Sequence, residues 1–115
     1  KRMWDIQNSQ EVGLEAAIQS ILEEQTFSMR NNIGGDGDGT HTITFYSNGS
    51  LDAKYNYNGT DNVMYDSWRI ENGSVILTTP KGAQKSFKAY QYNDTRFLLI
   101  DEEERGDFSM VLTVK

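Results

Sequence analysis

The side chains in this chain that could do chemistry are few, and their spacing settles most cases. The single histidine, His41, follows a glycine-rich run. A nucleophilic triad would need it beside an activated serine, and no Gly-x-Ser-x-Gly elbow occurs. There is no cysteine, which excludes thiolate nucleophiles, thiolate metal ligands and disulfides. One histidine without cysteine also cannot supply the usual zinc ligand sets. His41 therefore reads as a surface residue, and no metal or cofactor is expected.

Carboxylates are more plentiful. Asp36-Gly37-Asp38-Gly39 opens like a calcium loop. An EF-hand needs Gly at the sixth position from Asp36 and Glu at the twelfth, where this chain has His41 and Ser47. The segment reads as a solvated loop. It is not a phosphate cradle either, because no Lys-Ser/Thr pair and no helix follow it. Asp101-Glu102-Glu103-Glu104 could supply paired acid and base groups. Adjacent carboxylates at a turn are better read as solvated gatekeepers beside the apolar run 97–100. Asn48, Asn58, Asn72 and Asn93 each start an Asn-x-Ser/Thr pattern. Each also sits where a hairpin turn wants Asn, so plain turn chemistry accounts for them.

What remains is aromatic. Tyr46, Tyr55, Tyr57, Tyr65, Trp68, Phe87, Tyr90 and Tyr92 fall in one region. Rings with a polar tip suit an apolar cavity with a few hydrogen-bonding groups. They equally suit a filled core whose hydroxyls reach water.

These residues are positioned by a repeating pattern. From about residue 41 to residue 115, turn dipeptides separate runs rich in β-branched and aromatic residues. The dipeptides are Asn48-Gly49, Asn58-Gly59, Asn72-Gly73, Lys81-Gly82, Asn93-Asp94 and Arg105-Gly106. Asn-Gly tolerates the positive φ of tight hairpins, so flanking strands pair antiparallel. Period-two alternation predicts one-face sets Ile43/Phe45, Leu51/Ala53/Tyr55/Tyr57, Met64/Trp68/Ile70, Val75/Leu77, Phe87/Ala89 and Phe108/Met110/Leu112/Val114. That makes seven strands, or eight with a strand at 26–30 carrying Phe27 and Met29. The run 96–101 is apolar on both faces, so its outer face needs cover.

Ahead of the meander, about residues 9–25 predict a helix. Leu14, Ala17, Ile18, Ile21 and Leu22 recur at three-four spacing, and Asn8 or Ser9 is placed to cap it. The helix is expected to pack near the strand at 96–101 or to cap an open barrel end. Residues 1–8, with Met3, Trp4 and Ile6, read as an edge strand or a plug. Seven or eight strands leave exposed edges unless they close.

The whole 115-residue chain fits one domain. Its net charge of −6 disfavours nucleic acid, since Lys81, Lys85 and Lys88 form the only basic group. No apolar run approaches the ~20 residues of a membrane-spanning helix. No export signal is read in it, although a signal removed ahead of Lys1 stays open.

Three stretches carry a resemblance: Thr44-Phe45-Tyr46-Ser47-Asn48-Gly49-Ser50-Leu51, Trp68-Arg69-Ile70-Glu71-Asn72-Gly73 with the strand after it, and Arg96-Phe97-Leu98-Leu99-Ile100. Together they resemble the small lipocalin-like domains of bacterial extracytoplasmic proteins. The chain departs by its leading helix and by lacking an early Gly-x-Trp. The resemblance implies an extracytoplasmic, non-catalytic barrel holding a small hydrophobic molecule.

The expectation is thus an all-β antiparallel barrel or strongly curved sheet with one N-terminal helix. It would be a monomeric binding module for a small lipophilic or aromatic ligand in the barrel mouth. Tyr55, Tyr57, Trp68 and Phe87 would contact the ligand, and the loop 34–39 would form a rim. The alternatives are a protein-interaction or inhibitor domain, using the acidic surface and that loop, and a carboxylate-based enzyme.

Overall fold

The computed structural model describes residues 9–31, 41–57, 59–103 and 105–115, without the side chains of residues 31, 55–57, 61 and 105–108. The expected rim loop 34–39, the Asp36/Asp38 pair, the segment 1–8 and the side chains of Tyr55 and Tyr57 lie outside the described residues.

Among the described residues, nine strands and one helix follow in chain order. They are β1 (Gln10–Val12), α1 (Glu15–Leu22), β2 (Gln25–Asn31), β3 (His41–Phe45), β4 (Ser50–Tyr57), β5 (Thr60–Glu71), β6 (Ser74–Thr78), β7 (Gln84–Gln91), β8 (Arg96–Asp101) and β9 (Arg105–Val114). Strands β2 to β9 pair antiparallel with their neighbours in a ring. One long-range pairing, β2 with β9, closes it. The result is a closed eight-strand barrel. The extra strand β1 continues the lane of β6 along β7, with Val12 opposite Ala89.

Turn chemistry sets the connections. In the β5–β6 hairpin Asn72 and Gly73 have φ of 54° and 79°, the doubly left-handed pair that Asn-Gly favours. Gly73 is also tightly placed: a Cβ there would lie 3.1 Å from the carbonyl oxygen of Gly13. Pro80 falls in the β6–β7 turn, where it interrupts no ladder.

The alternation places apolar side chains inside as expected on most strands. Phe27, Met29, Ile43, Phe45, Val75, Leu77, Phe87 and Leu112 are fully buried in one core. On β5 the expected inward residue Met64 gives way to Tyr65, which pairs with Ala53 and is buried while Met64 is only partly so. Register shifts near Ala53 cause this. A bulge inserts an unpaired residue and reverses the inward parity beyond it.

β8 is apolar on both faces, as its sequence requires. Phe97 and Leu99 belong to the barrel core, while Leu98 forms a second cluster with Val111, against which Tyr90 and Ile100 pack.

The helix is shorter than the expected 9–25 span. Residues 10–12 are taken by β1, and Leu14 is the N-cap without a side-chain capping bond, so Ser9 does not cap it, and the other expected cap, Asn8, lies outside the described residues. Leu14 is 76% exposed rather than on the buried face. Ile18 and Leu22 are buried in the barrel core, and the helix packs chiefly on β5. Of the two expected placements it takes the barrel end, not the outer face of β8. Glu15 Oε2 accepts a bond from the Gly73 amide at 3.3 Å, holding the helix start to the β5–β6 turn. At its other end Glu24 adopts φ 58°. There its amide donates to Phe45 O at 2.6 Å and its carboxylate accepts the Ser47 amide at 2.6 Å.

Two predictions test this end of the barrel. Leu22→Ala should lower unfolding free energy by about 2–5 kcal/mol through lost burial and a residual cavity. Leu14→Ala should change it by less than ~0.5 kcal/mol. Equal effects in denaturant titration would reject the placement of the helix. Bonds from the amide and hydroxyl of Ser47 hold the Glu24 carboxyl below its ordinary value of 4.5. A lowered native value favours the fold above the unfolded value, and that contribution fades as pH falls through the native one. The stability gap between the wild type and Glu24→Gln should therefore narrow in acid. A gap constant with pH would remove the Ser47 bond from the account.

Candidate functional site

The barrel has two chemically different ends. One carries α1 and the turns 46–49, 72–73 and 92–95. The other carries the turns 79–83 and 102–103 and the β4–β5 hairpin end.

At the helix end, Trp68 is 6% exposed and its ring meets Phe45 edge-to-face at 5.2 Å. Its indole N–H donates to Tyr46 O at 2.8 Å, and its backbone amide donates to Gly49 O at 2.9 Å. The polar handle of Trp68 is thus spent on the β3–β4 turn, and the ring helps build the floor over which α1 lies.

At the opposite end the inward face becomes polar. Asp101 follows Phe97 and Leu99 on the inward parity of β8 and pairs with Phe87 on β7. Only 2% of the residue is exposed. Its Oδ1 accepts the Glu103 amide at 2.8 Å, and its own amide donates to Ser109 Oγ at 2.8 Å. Lys85, two residues before Phe87 and on the same face, brings Nζ to 3.8 Å from Asp101 Oδ2. That diagonal is within reach of a long side chain across a sheet. Tyr65 meets Phe87 edge-to-face, with centroids 6.4 Å apart. His41, opposite Met29, shares the parity of Ile43 and is partly buried. It is not the plain surface residue its sequence neighbours suggest.

The structure therefore separates the expected ligand residues. Phe87 lies in the Tyr65–Asp101 group, whereas Trp68 lies at the helix end. The backbones of Tyr55 and Tyr57 pair with Asn62 and Thr60 in the β4–β5 hairpin, toward the end that carries Asp101.

The acidic turn also divides. Glu102 and Glu103 are exposed, as a solvated run requires, but Asp101 is buried. Glu102 lies on the other face of the sheet. Its Oε2 accepts the Ser74 hydroxyl at 2.6 Å and lies 3.8 Å from Lys88 Nζ. Asp101 and Glu102 thus point to opposite faces and do not converge as an acid–base pair. Among the described residues no three carboxylate or imidazole groups gather to hold a metal ion, and no helix is long and apolar enough to cross a membrane.

Two Asn-x-Ser/Thr patterns show their turn role. Asn48 Oδ1 accepts both the amide and the hydroxyl of Ser50, at 2.9 and 2.7 Å. Asn93 Oδ1 accepts the amides of Thr95 and Arg96, each at 2.9 Å. Such side-chain bonds two residues on are the mechanism by which Asn makes turns.

Sequence reasoning missed Asp101, Lys85 and Tyr65 as a group. One signal was present: Asp101 and Lys85 continue the inward parity of Phe97/Leu99 and Phe87/Ala89. A charge at the end of an inward row marks a rim or a site. No protein-family model, curated protein or solved structure matches the chain.

Burial holds the Tyr65 phenol above its ordinary value of 10.0, and the Asp101 charge adds to the shift. The unfolded chain gives up this proton first, so the contribution is complete below the ordinary value and is lost as pH rises through the native one. Tyr65→Phe should flatten the alkaline limb of the stability curve, read by urea unfolding with tyrosinate absorbance. Parallel alkaline losses in the two proteins would contradict this environment for the ring.

Proposed function

We propose that this protein is a non-catalytic binding module that holds a small lipophilic or aromatic molecule at the barrel end opposite the helix. The observation that carries the reading is the buried Asp101, with part-exposed Lys85 Nζ 3.8 Å away, set beside Tyr65 and Phe87 at the end of an apolar core. An eight-strand barrel is just wide enough for its side chains or for one small ligand. Ligand sites are typically apolar with a few placed polar groups, and this end has both. The other end is occupied by Ile18, Leu22 and Trp68. On this reading Phe87 lines the ligand site, while Trp68 supports its floor instead of touching the ligand.

Closure of the eight-strand ring supports the lipocalin-like reading of the sequence motifs. A bacterial, extracytoplasmic setting rests on that resemblance alone. Closure also favours a monomer, because it leaves β2 to β9 paired on both sides.

Native mass spectrometry of freshly purified protein, followed by a thermal-shift screen of lipophiles, tests the reading. The expected result is a co-purifying small molecule, or a ligand that raises Tm. Ligand at a hundredfold over its Kd adds about 2.7 kcal/mol, a shift of several degrees for a chain of this size. A bare-chain mass with no lipophile shifting Tm would end the proposal.

A further inference from the structure

We propose that the helix end of the barrel is a docking surface for a basic segment of a partner protein, with Leu14 as its apolar anchor. This surface lies opposite the proposed ligand end and does not depend on that reading.

Leu14 carries the argument. It occupies the N-cap of α1 with φ −80° and ψ 126°. In this extended geometry Ser, Thr, Asp or Asn would bond the free amides of the first turn, and leucine is among the poorest residues for the task. Burial does not account for it either, since 76% of it is exposed. Folding therefore gives no reason for a leucine here. The apolar surface continues along the helix. Ala17 and Ile21 are only half-buried, and their spacing from Leu14 sets all three on one flank. Ala16 and Ser20 are small and exposed, so a partner backbone can approach closely. Tyr46, 39% exposed, stands in the turn tied to the other end of α1 through Glu24 and Ser47. Leu14, Tyr46 and Val63 are the exposed large apolar side chains among the described residues. Two of them thus flank this one helix.

Charge identifies the occupant. Glu11 and Glu15 flank Leu14 in sequence, Glu23 and Glu24 close the far end of α1, and residues 9–29 contain no Lys or Arg. None of the four carboxylates makes an ion pair among the described residues. Glu15 and Glu24 are held by the amides of Gly73 and Ser47 instead, which fixes their positions and leaves their charge. Arg69 and Arg96 reach the same end but engage Glu71 and the Tyr92 ring. An apolar anchor in a negative frame is complementary to an apolar side chain flanked by Lys or Arg. A second copy of this chain would bring the same four negative charges to the contact, and an anionic lipid surface would also be repelled.

A random peptide library displayed on phage, selected on the full chain and counter-selected on Leu14→Ser, tests this. The expected peptides carry an apolar residue between Lys or Arg residues and are enriched on the wild type alone. A synthetic consensus peptide should bind Leu14→Ser about tenfold more weakly, the equivalent of ~1.4 kcal/mol. It should lose affinity as salt is added and should shift the amide resonances of α1 and of the turn 46–49. Serine can cap the helix where leucine cannot, so Leu14→Ser should keep or raise Tm. Lost docking is thereby separated from lost folding.

Enriched peptides without basic residues, peptides that bind Leu14→Ser as well as the wild type, or a selection that enriches nothing would each overturn the proposal. Amide shifts confined to the opposite barrel end would do the same. Sedimentation showing a dimer that Leu14→Ser dissolves would overturn it in favour of a second copy. Binding to phosphatidylcholine vesicles that Leu14→Ser abolishes would overturn it in favour of a lipid surface. Failure of the lipophile screen bears on the other end of the barrel and leaves this surface standing.

Discussion

The structure depends on the seam between β2 and β9. Phe27 lies opposite Val114 and Met29 opposite Leu112, joining residues near the two ends of the described chain. Local hairpins alone would give a curved sheet with two open edges, each a row of unpaired backbone groups. The seam converts that sheet into a ring. It also places Phe27 between two distant strands, with its ring edge-to-face to Phe45 and to Phe97 at 5.9 Å each. Those rings fill the barrel axis, and the chain has no cysteine to staple it. The hydrophobic interior must therefore supply the stability that a small cross-linked fold would draw from disulfides.

Closure has a cost in sequence, visible at β8. A strand inside a barrel wall normally shows one apolar face. β8 shows two because its outer face takes part in the second cluster with Val111 and Tyr90. The acidic turn that follows it is the natural counterweight. Glu102 folds onto the outer face of β6 and β7 through Ser74 and Lys88, while Asp101 folds inward. One short turn thus ties the outer surface to the interior, and its backbone is fixed by Asp101 Oδ1 and by Ser109.

Much of the fold was legible in the sequence because its causes are local. Asn72-Gly73 requires a left-handed turn, and alternation at Phe97/Leu99 or Phe27/Met29 requires one buried face. The failures have non-local causes. Gln10–Val12 carries no strand signal of its own. It pairs because β6 begins only at Ser74, opposite Lys88, and leaves the edge of β7 open beyond that point. Tyr65 replaced Met64 inside the barrel because register shifts between β4 and β5 move the parity, and no single strand encodes a pairing offset. Leu14 kept its helical spacing yet lies outside the packed face, since β1 takes up the residues that would have extended the helix toward it. The candidate site was the least legible part. Asp101 was read with its acidic neighbours, whereas its meaning comes from Phe87 and Lys85 on another strand.

The burial of Asp101 bears on why such a group is kept. A buried ion pair is weak evidence for stability, because desolvation offsets most of the attraction and an apolar replacement is often as stable. Here the pair is also long, so the attraction is less than it could be. The backbone bonds of Asp101 do not need the charge: an asparagine could accept from Glu103 in the same way. The carboxylate itself is therefore not explained by the turn it holds. Its negative charge raises Tyr65 and stands 3.8 Å from the part-exposed Lys85 ammonium.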